Sequence, residues 1–268
     1  MSLADVLLNG AVYALIGTIA GLMSGVLGIG GGVIVVPGLV FVFQLNRLIP
    51  DELTMYVAAG TSLAVMIFTA QSALRAHLKF GEVLWRTFHS LWPGIVLGTI
   101  SGALIAPLIP RHWLEIIFAI FLYGIAIKML TDAQVKHPVK SPSKWLNRIV
   151  SYFIGLYSGL LGVGGGVITI PYLTYCGVDT RKIAAVSNLC TFIVAIVGTV
   201  VFMITGQNQM QAIAYSTGYI YWPAVLWVAI PSVFFAPLGA KLNYLLPVKQ
   251  LKYVFIVILI ITATSMLF

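Results

Sequence analysis

An all-α polytopic membrane protein is what this chain of 268 residues predicts, folded as two inverted repeats that each join a glycine-broken re-entrant helix hairpin to three transmembrane helices. Three observations lead there. The composition is 60% hydrophobic and only 8% charged, with a mean hydropathy of +1.03, whereas a soluble domain carries about 25% charged residues. A stretch of 17 residues occurs twice, 134 residues apart, and the Lys and Arg residues fall in a pattern that fits one membrane topology. The net charge of +8 would suggest nucleic acid in a soluble chain, but these basic residues cluster between apolar segments, as cytoplasmic loops require. Nucleic acid is therefore excluded as a partner.

The repeat comes first because internal duplication outranks local propensity. Residues 21–37 read GLMSGVLGIGGGVIVVP and residues 155–171 read GLYSGLLGVGGGVITIP, identical at 12 of 17 positions. In each copy three adjacent glycines, Gly30, Gly31 and Gly32 or Gly164, Gly165 and Gly166, separate two apolar runs and should break the helix. Irregular backbone at membrane depth is tolerated only when buried in protein or lining a wet cavity. Paired breaks in the two halves of a chain point to a transporter's binding site. The competing reading is that the glycines only allow close helix packing, but packing needs glycines spaced by three or four rather than adjacent.

In chain order, residues 3–27 lack a positive n-region and are too long for a signal peptide, so they should remain as a membrane helix. Val33 to Phe43 is too short to span a core about 30 Å thick. A loop over 44–55 follows, then spans at about 56–73, 84–108 and 113–130, with a basic stretch from Arg75 to His89 between the first two. Residues 131–148, rich in Pro, Ser and Lys, divide the chain into a first repeat over 1–130, a cytoplasmic linker, and a second repeat over 149–268. The second repeat replays the first, with spans at about 183–205, 217–240 and 251–268.

Charge selects between a glycine-broken element that crosses the membrane and one that folds back. If each crosses, the basic residues divide 8 to 7 between the two sides, against the positive-inside rule. If each folds back, 13 of the 15 Lys and Arg lie inside, leaving only Arg47 and Arg111 outside. The second arrangement makes the repeats inverted and places both termini outside. The glycine tips then approach each other at mid-membrane, and the short helices starting near Val33 and Val167 aim their N-termini there. Unpaired N–H groups and a partial positive charge make such ends an anion site.

The doubled G-x-x-S-G-x-x-G-x-G-G-G motif, each copy closed by an apolar run and a proline, is followed by a polar pair on the next helix, Thr61-Ser62 or Ser187-Asn188. Over nearly the whole chain this resembles the TauE/SafE family of sulfite and organosulfonate exporters. The resemblance implies a secondary transporter, in the sense of export, for small anions such as sulfite, organosulfonates or related organic acids, and the inverted repeats suit alternating access. It implies no agreed catalytic residues, so only motif positions are carried over. The candidate substrate-binding set is Gly30, Gly31, Gly32, Val33, Gly164, Gly165, Gly166, Val167, Ser24, Ser158, Thr61, Ser62, Ser187 and Asn188.

The hydroxyls and the Asn188 amide can donate to an anion, although helix-to-helix bonding or small-residue packing would use the same groups. No acidic or basic residue sits in the middle of a span; Glu115 and Lys128 fall near ends. His77, His89, His112 and His137 fall in or near loops without metal-ligand spacing and read as solvated, so no metal or cofactor is implied. Cys176 and Cys190 form no disulfide framework. An intramembrane enzyme would need a nucleophile and base at repeat-equivalent depth, and none stands there, so the chain reads as no enzyme. An anion channel or uniporter is the nearer alternative. The lipid bilayer is the expected environment, as a multi-pass protein of the cell membrane, the inner one in a Gram-negative bacterium, and homo-oligomers are compatible with this reading.

Overall fold

The computed structural model describes residues 3–80, 84–131, 144–178, 180–211, 213–245 and 247–266. Most of the linker expected at 131–148, with His137, lies outside the described residues. The elements run α1 (Leu3–Leu27), α2 (Gly32–Asn46), α3 (Thr54–Phe80), α4 (Trp85–Ile105), a short 3-10 turn (Ala106–Leu108), α5 (Arg111–Thr131) and α6 (Lys144–Leu161). They continue with α7 (Gly166–Tyr175), α8 (Thr180–Thr205), a ribbon of β1 (Ser216–Thr217) and β2 (Ile220–Tyr221), α9 (Trp222–Leu245) and α10 (Val248–Ser265).

Among the described residues, six helices are long and apolar enough to cross a membrane: α1, α3, α4, α5, α8 and α9. The chain is a multi-pass membrane protein. Large apolar side chains such as Phe41, Leu97, Ile120, Ile204 and Phe234 face outward, where lipid tails would meet them. Trp85 and Trp145 are exposed near the starts of α4 and α6, and Trp113 near the start of α5, as interfacial anchors.

Four boundaries differ from those read in the sequence. Residues 144–148, expected as the end of the linker, are the first turn of α6. The basic stretch from Arg75 is the last turns of α3, because alanines continue the helix and His77 and Lys79 suit its C-terminal dipole. The span expected at 217–240 starts at Trp222, because residues before it form an antiparallel ribbon that turns at Gly218 (φ +56°). A side chain at Gly218 would overlap the Met203 carbonyl oxygen, so the turn is pressed onto the end of α8. The last expected span, 251–268, overlaps α10 but runs past the described residues.

Helix directions follow from which residues meet. Along α1 and α9, Gly10 meets Trp227, Gly17 meets Val228, Gly21 meets Ser232 and Gly25 meets Ala236, so the two helices run parallel. Along α4 and α6, Gly94 meets Ser151, Gly98 meets Tyr152 and Gly102 meets Leu156, again parallel. In α3 and α8 the order reverses: Gly60 lies on Phe202, and Leu63 lies on Gly198. A β-carbon on Gly25, Gly98 or Gly102 would overlap a backbone carbonyl of the facing helix, so these glycines set the interhelical distance.

The halves interlock. The first helix of each half packs on the fourth helix of the other, α1 on α9 and α6 on α4, while α3 packs on α8 and α5 on α10. Exchanging the two halves leaves this set of pairs unchanged. Gly102 accordingly approaches Leu156 as Gly239 approaches Leu22.

Candidate functional site

Each helix break forms where the sequence places its glycines. Helix α1 closes with the Gly28 N–H bonded to Ser24 O at 2.7 Å, and α6 with the Gly162 N–H bonded to Ser158 O at 2.9 Å. Beyond these points the chain turns through left-handed glycines, Gly28 and Gly30 in one copy and Gly162 and Gly164 in the other. It then restarts as α2 and α7 in the reverse direction. A β-carbon on Gly38 of α2 would lie 2.8 Å from Ile16 Cδ1, and one on Gly31 would lie 2.9 Å from Ala20 O, so α2 returns along α1.

The copies part at the middle glycine of the triplet. Gly31 is left-handed with φ +86°, while Gly165 sits at φ −67°, a conformation any residue adopts. At Gly165 an added β-carbon would be in ordinary contact, 3.5 Å from Cys190 and Val194.

The two broken segments cross one another in direct contact. A β-carbon on Gly32 would lie 2.6 Å from Gly162 O and 2.8 Å from Val163 Cα. One on Gly166 would overlap Gly28 O and lie 2.5 Å from Ile29 Cα. Only glycine allows two backbones to meet this closely. The α2 and α7 N-termini both open here, presenting first-turn N–H groups that no helical carbonyl precedes. Residues Gly30 to Val33 and Gly164 to Val167 are all buried.

Carbonyls at the crossing are served from the opposite half. Ser62 Oγ donates to Gly162 O at 2.9 Å, and Ser187 Oγ donates to Gly28 O at 2.6 Å. An orphaned carbonyl inside hydrocarbon costs several kcal/mol, so each hydroxyl is bound to a backbone duty. Ser62 is thus the partner of Ser187. Of the two polar pairs expected at corresponding places, Thr61-Ser62 and Ser187-Asn188, the equivalent members are therefore Ser62 and Ser187.

The other expected residues separate. Thr61 turns away from the crossing and accepts the Tyr221 N–H at 3.1 Å, fastening the ribbon to α3. Asn188 Nδ2 donates to Ala184 O at 3.0 Å, and its buried Oδ1 has no partner. Ser158 Oγ donates to Gly164 O at 3.0 Å, whereas the repeat-equivalent Ser24 Oγ is buried without a partner.

Two residues outside the expected set hold the crossing. Thr191 Oγ1 accepts the Gly166 N–H at 3.1 Å, and its methyl occupies the space a Gly30 β-carbon would take. Met66 Sδ would lie 3.0 Å from that same β-carbon and 2.9 Å from one on Gly164. Met66 and Thr191 each lie four residues after the bridging serine of their helix, on the same face. That spacing is the signal that would have found them.

His77 corrects another expectation. It is fully buried rather than solvated, with Nε2 at 2.8 Å from Gly25 O, so it caps the end of α1 from the last turns of α3. Asn243 of α9 does the same for Val26 O through Nδ2. Among the described residues, no three His, Cys, Asp or Glu side chains gather as metal ligands. Arg111 pairs with Glu115, Nε to Oε1 at 2.6 Å, and with Asp51 at 3.6 Å.

A family model described as Sulfite exporter TauE/SafE matches residues 13–266. A probable membrane transporter protein of Haemophilus influenzae is 33% identical over 94% of this chain and 96% of its own length. The probable membrane transporter protein YunE of Bacillus subtilis is 25% identical over 97% and 98%, and one from Methanocaldococcus jannaschii is 30% identical over 92% and 91%. No solved structure matches the chain.

Proposed function

The chain belongs to the sulfite exporter TauE/SafE family of membrane transporters, and we propose that it exports small anions, such as sulfite, organosulfonates or related organic acids, by alternating access around the glycine crossing. The observation that carries this reading is the meeting of two helix N-termini, α2 and α7, at one buried point where backbones cross in contact and no charged side chain intervenes among the described residues. Aligned peptide dipoles give each such end about half a positive charge, enough to attract an anion without a buried counter-ion. The unpartnered Ser24 Oγ and Asn188 Oδ1 are further support, since buried polar atoms are normally satisfied. The Asn188 amide can rotate to donate when an anion arrives.

Alternating access rests on an inverted arrangement, with repeats over 1–130 and 149–268 joined by an inside linker. Helix direction supports it: α1 runs parallel to α9, α6 runs parallel to α4, and α3 opposes α8. The division of basic residues, 13 against 2, supports placing the linker side in the cytoplasm. Each hairpin then enters from its own face, and the crossing lies between the two aqueous phases. Burial of all the crossing glycines supports a carrier over an open channel.

The test is a thermal-shift screen of the purified protein against sulfite, thiosulfate, sulfoacetate, taurine and simple carboxylates, followed by counterflow in proteoliposomes. A ligand that binds only the folded state raises its melting temperature by mass action. Saturable stabilisation and saturable counterflow with one anion are expected. Stabilisation by cations alone would overturn the anion reading, and unsaturable conductance would replace the carrier with a channel.

A further inference from the structure

Away from the crossing, a groove of about 540 Å³ opens between the outer faces of α3 and α9. Its two ends differ in chemistry. Phe68, Gln71 and Val233 line one end, Leu238 the middle, and Arg75, Lys79 and Lys241 gather toward the other. Phe68 and Leu238 are exposed to the surroundings of the protein, which for a membrane helix means acyl chains. The floor is fixed, because Ser72 Oγ donates to Val233 O at 2.8 Å and Thr69 Oγ1 lies 2.6 Å from Ser232 Oγ.

Among the described residues, no acidic side chain pairs with these three cations. Among the described residues the ion pairs are those of Arg111, at the opposite ends of the helices. Arg75, Lys79 and Lys241 lie near the C-terminal ends of two parallel helices, so their side chains reach the same membrane interface. A site that is apolar along its length and triply basic at its mouth fits an amphiphile with an anionic head. A small soluble anion would use the mouth and leave the apolar half unfilled.

We infer that this groove holds an anionic phospholipid of the inner leaflet. Its phosphate is bound by Arg75, Lys79 and Lys241, and one acyl chain lies along Phe68, Val233 and Leu238. Guanidinium and ammonium groups at a helix boundary recognise phosphate by charge-assisted hydrogen bonds. The consequence for the protein is mechanical. The same two helices hold the end of α1 on their inner side, through His77 and Asn243, so lipid in the groove clamps α3 to α9 behind the hairpin.

The inference rests on the membrane placement proposed above, which puts this mouth on the cytoplasmic side. The experiment measures binding of phosphatidylglycerol, against phosphatidylcholine of the same chains, to the detergent-purified full chain by thermal shift. It compares the wild type with Arg75→Gln, Lys79→Gln, Lys241→Gln and the triple variant. Inorganic phosphate and glycerol 3-phosphate are titrated in parallel.

Saturable stabilisation by phosphatidylglycerol is expected, weakening roughly fivefold for each charge removed and on the order of a hundredfold for all three. Equal stabilisation of the triple variant, or equal stabilisation by phosphatidylcholine, overturns the site. Stabilisation by inorganic phosphate that phosphatidylglycerol does not compete away makes the mouth a soluble-anion vestibule and overturns the lipid. The exposed positions of the three side chains keep the variants folded, and their melting temperatures without lipid check this. A Lys241→Cys variant labelled from outside the cell would sink the membrane placement while leaving the lipid measurement intact.

Discussion

Substituting alanine for Gly30 and for Gly165 compares a left-handed glycine with a helical one inside the same motif. The two glycines belong to the same doubled motif, yet their surroundings differ. Gly30 has φ +79°, and its β-carbon would collide with the Thr191 methyl and press on Met66 Sδ at 3.0 Å. The left-handed conformation costs an L residue about 1–2 kcal/mol, and forcing a methyl into packed space costs about 1–3 kcal/mol more. Gly30→Ala should therefore destabilise by about 2–5 kcal/mol. Gly165 already has helical φ, with its nearest neighbours at 3.5 Å, so Gly165→Ala should be neutral or stabilising by about 0.5 kcal/mol.

The assay is thermal unfolding of detergent-purified protein followed by size-exclusion chromatography. At about 2–4 °C per kcal/mol, Gly30→Ala should lower the midpoint by about 4–20 °C, and Gly165→Ala should leave it within about 2 °C. Adding Thr191→Ser to Gly30→Ala removes the colliding methyl but keeps the oxygen that accepts the Gly166 N–H. It should restore the packing share of the loss and leave the backbone share. Equal losses at Gly30 and Gly165, or no recovery with Thr191→Ser, would refute the reasoning.

Four further outcomes can be measured. Ser62→Ala and Ser187→Ala each strip a buried carbonyl of its donor and should cost about 1–3 kcal/mol, with threonine at either position retaining most of the stability, as read by thermal unfolding. Gly25→Ala drives a methyl into the Ala236 carbonyl and should prevent α1 from seating, seen as loss of the monodisperse peak. Gly124→Ala meets nothing within 4 Å and should gain up to about 1 kcal/mol of helix propensity in the same assay. Cysteines in the 136–144 linker and in the 207–211 loop should label from opposite sides of the membrane; labelling from one side would defeat the inverted arrangement.

Much of the helical plan was legible because its causes are local. Adjacent glycines break a helix wherever they stand, so the ends of α1 and α6 and the starts of α2 and α7 fell where the motif put them. What escaped the sequence depends on partners far along the chain. His77 looked wet because Arg75 and Lys79 flank it, yet α3 continues through it and turns its ring inward onto Gly25 O. Ser62 and Ser187 looked like ligand donors because nothing local shows that Gly162 and Gly28 present unfilled carbonyls to them. Thr61, one residue earlier, faces the ribbon, a distinction of about 100° around the helix that only tertiary packing assigns. Thr191 and Met66 passed unnoticed because neither residue type suggests a wedge between crossing backbones.

The pairing of α1 with α9 also sets an order of events in synthesis. The hydrogen bond from Asn243 to Val26 O joins residues 217 positions apart. A ribosome adding about 5–20 residues per second delivers the partner roughly 10–40 s after α1 is complete. Throughout that wait the face of α1 carrying Gly10, Gly17, Gly21 and Gly25 lacks the helix it packs on in the folded protein. Helix α1 is thus seated on its partner only once α9 has been made, and this step of assembly is governed by the arrival of a segment far along the chain.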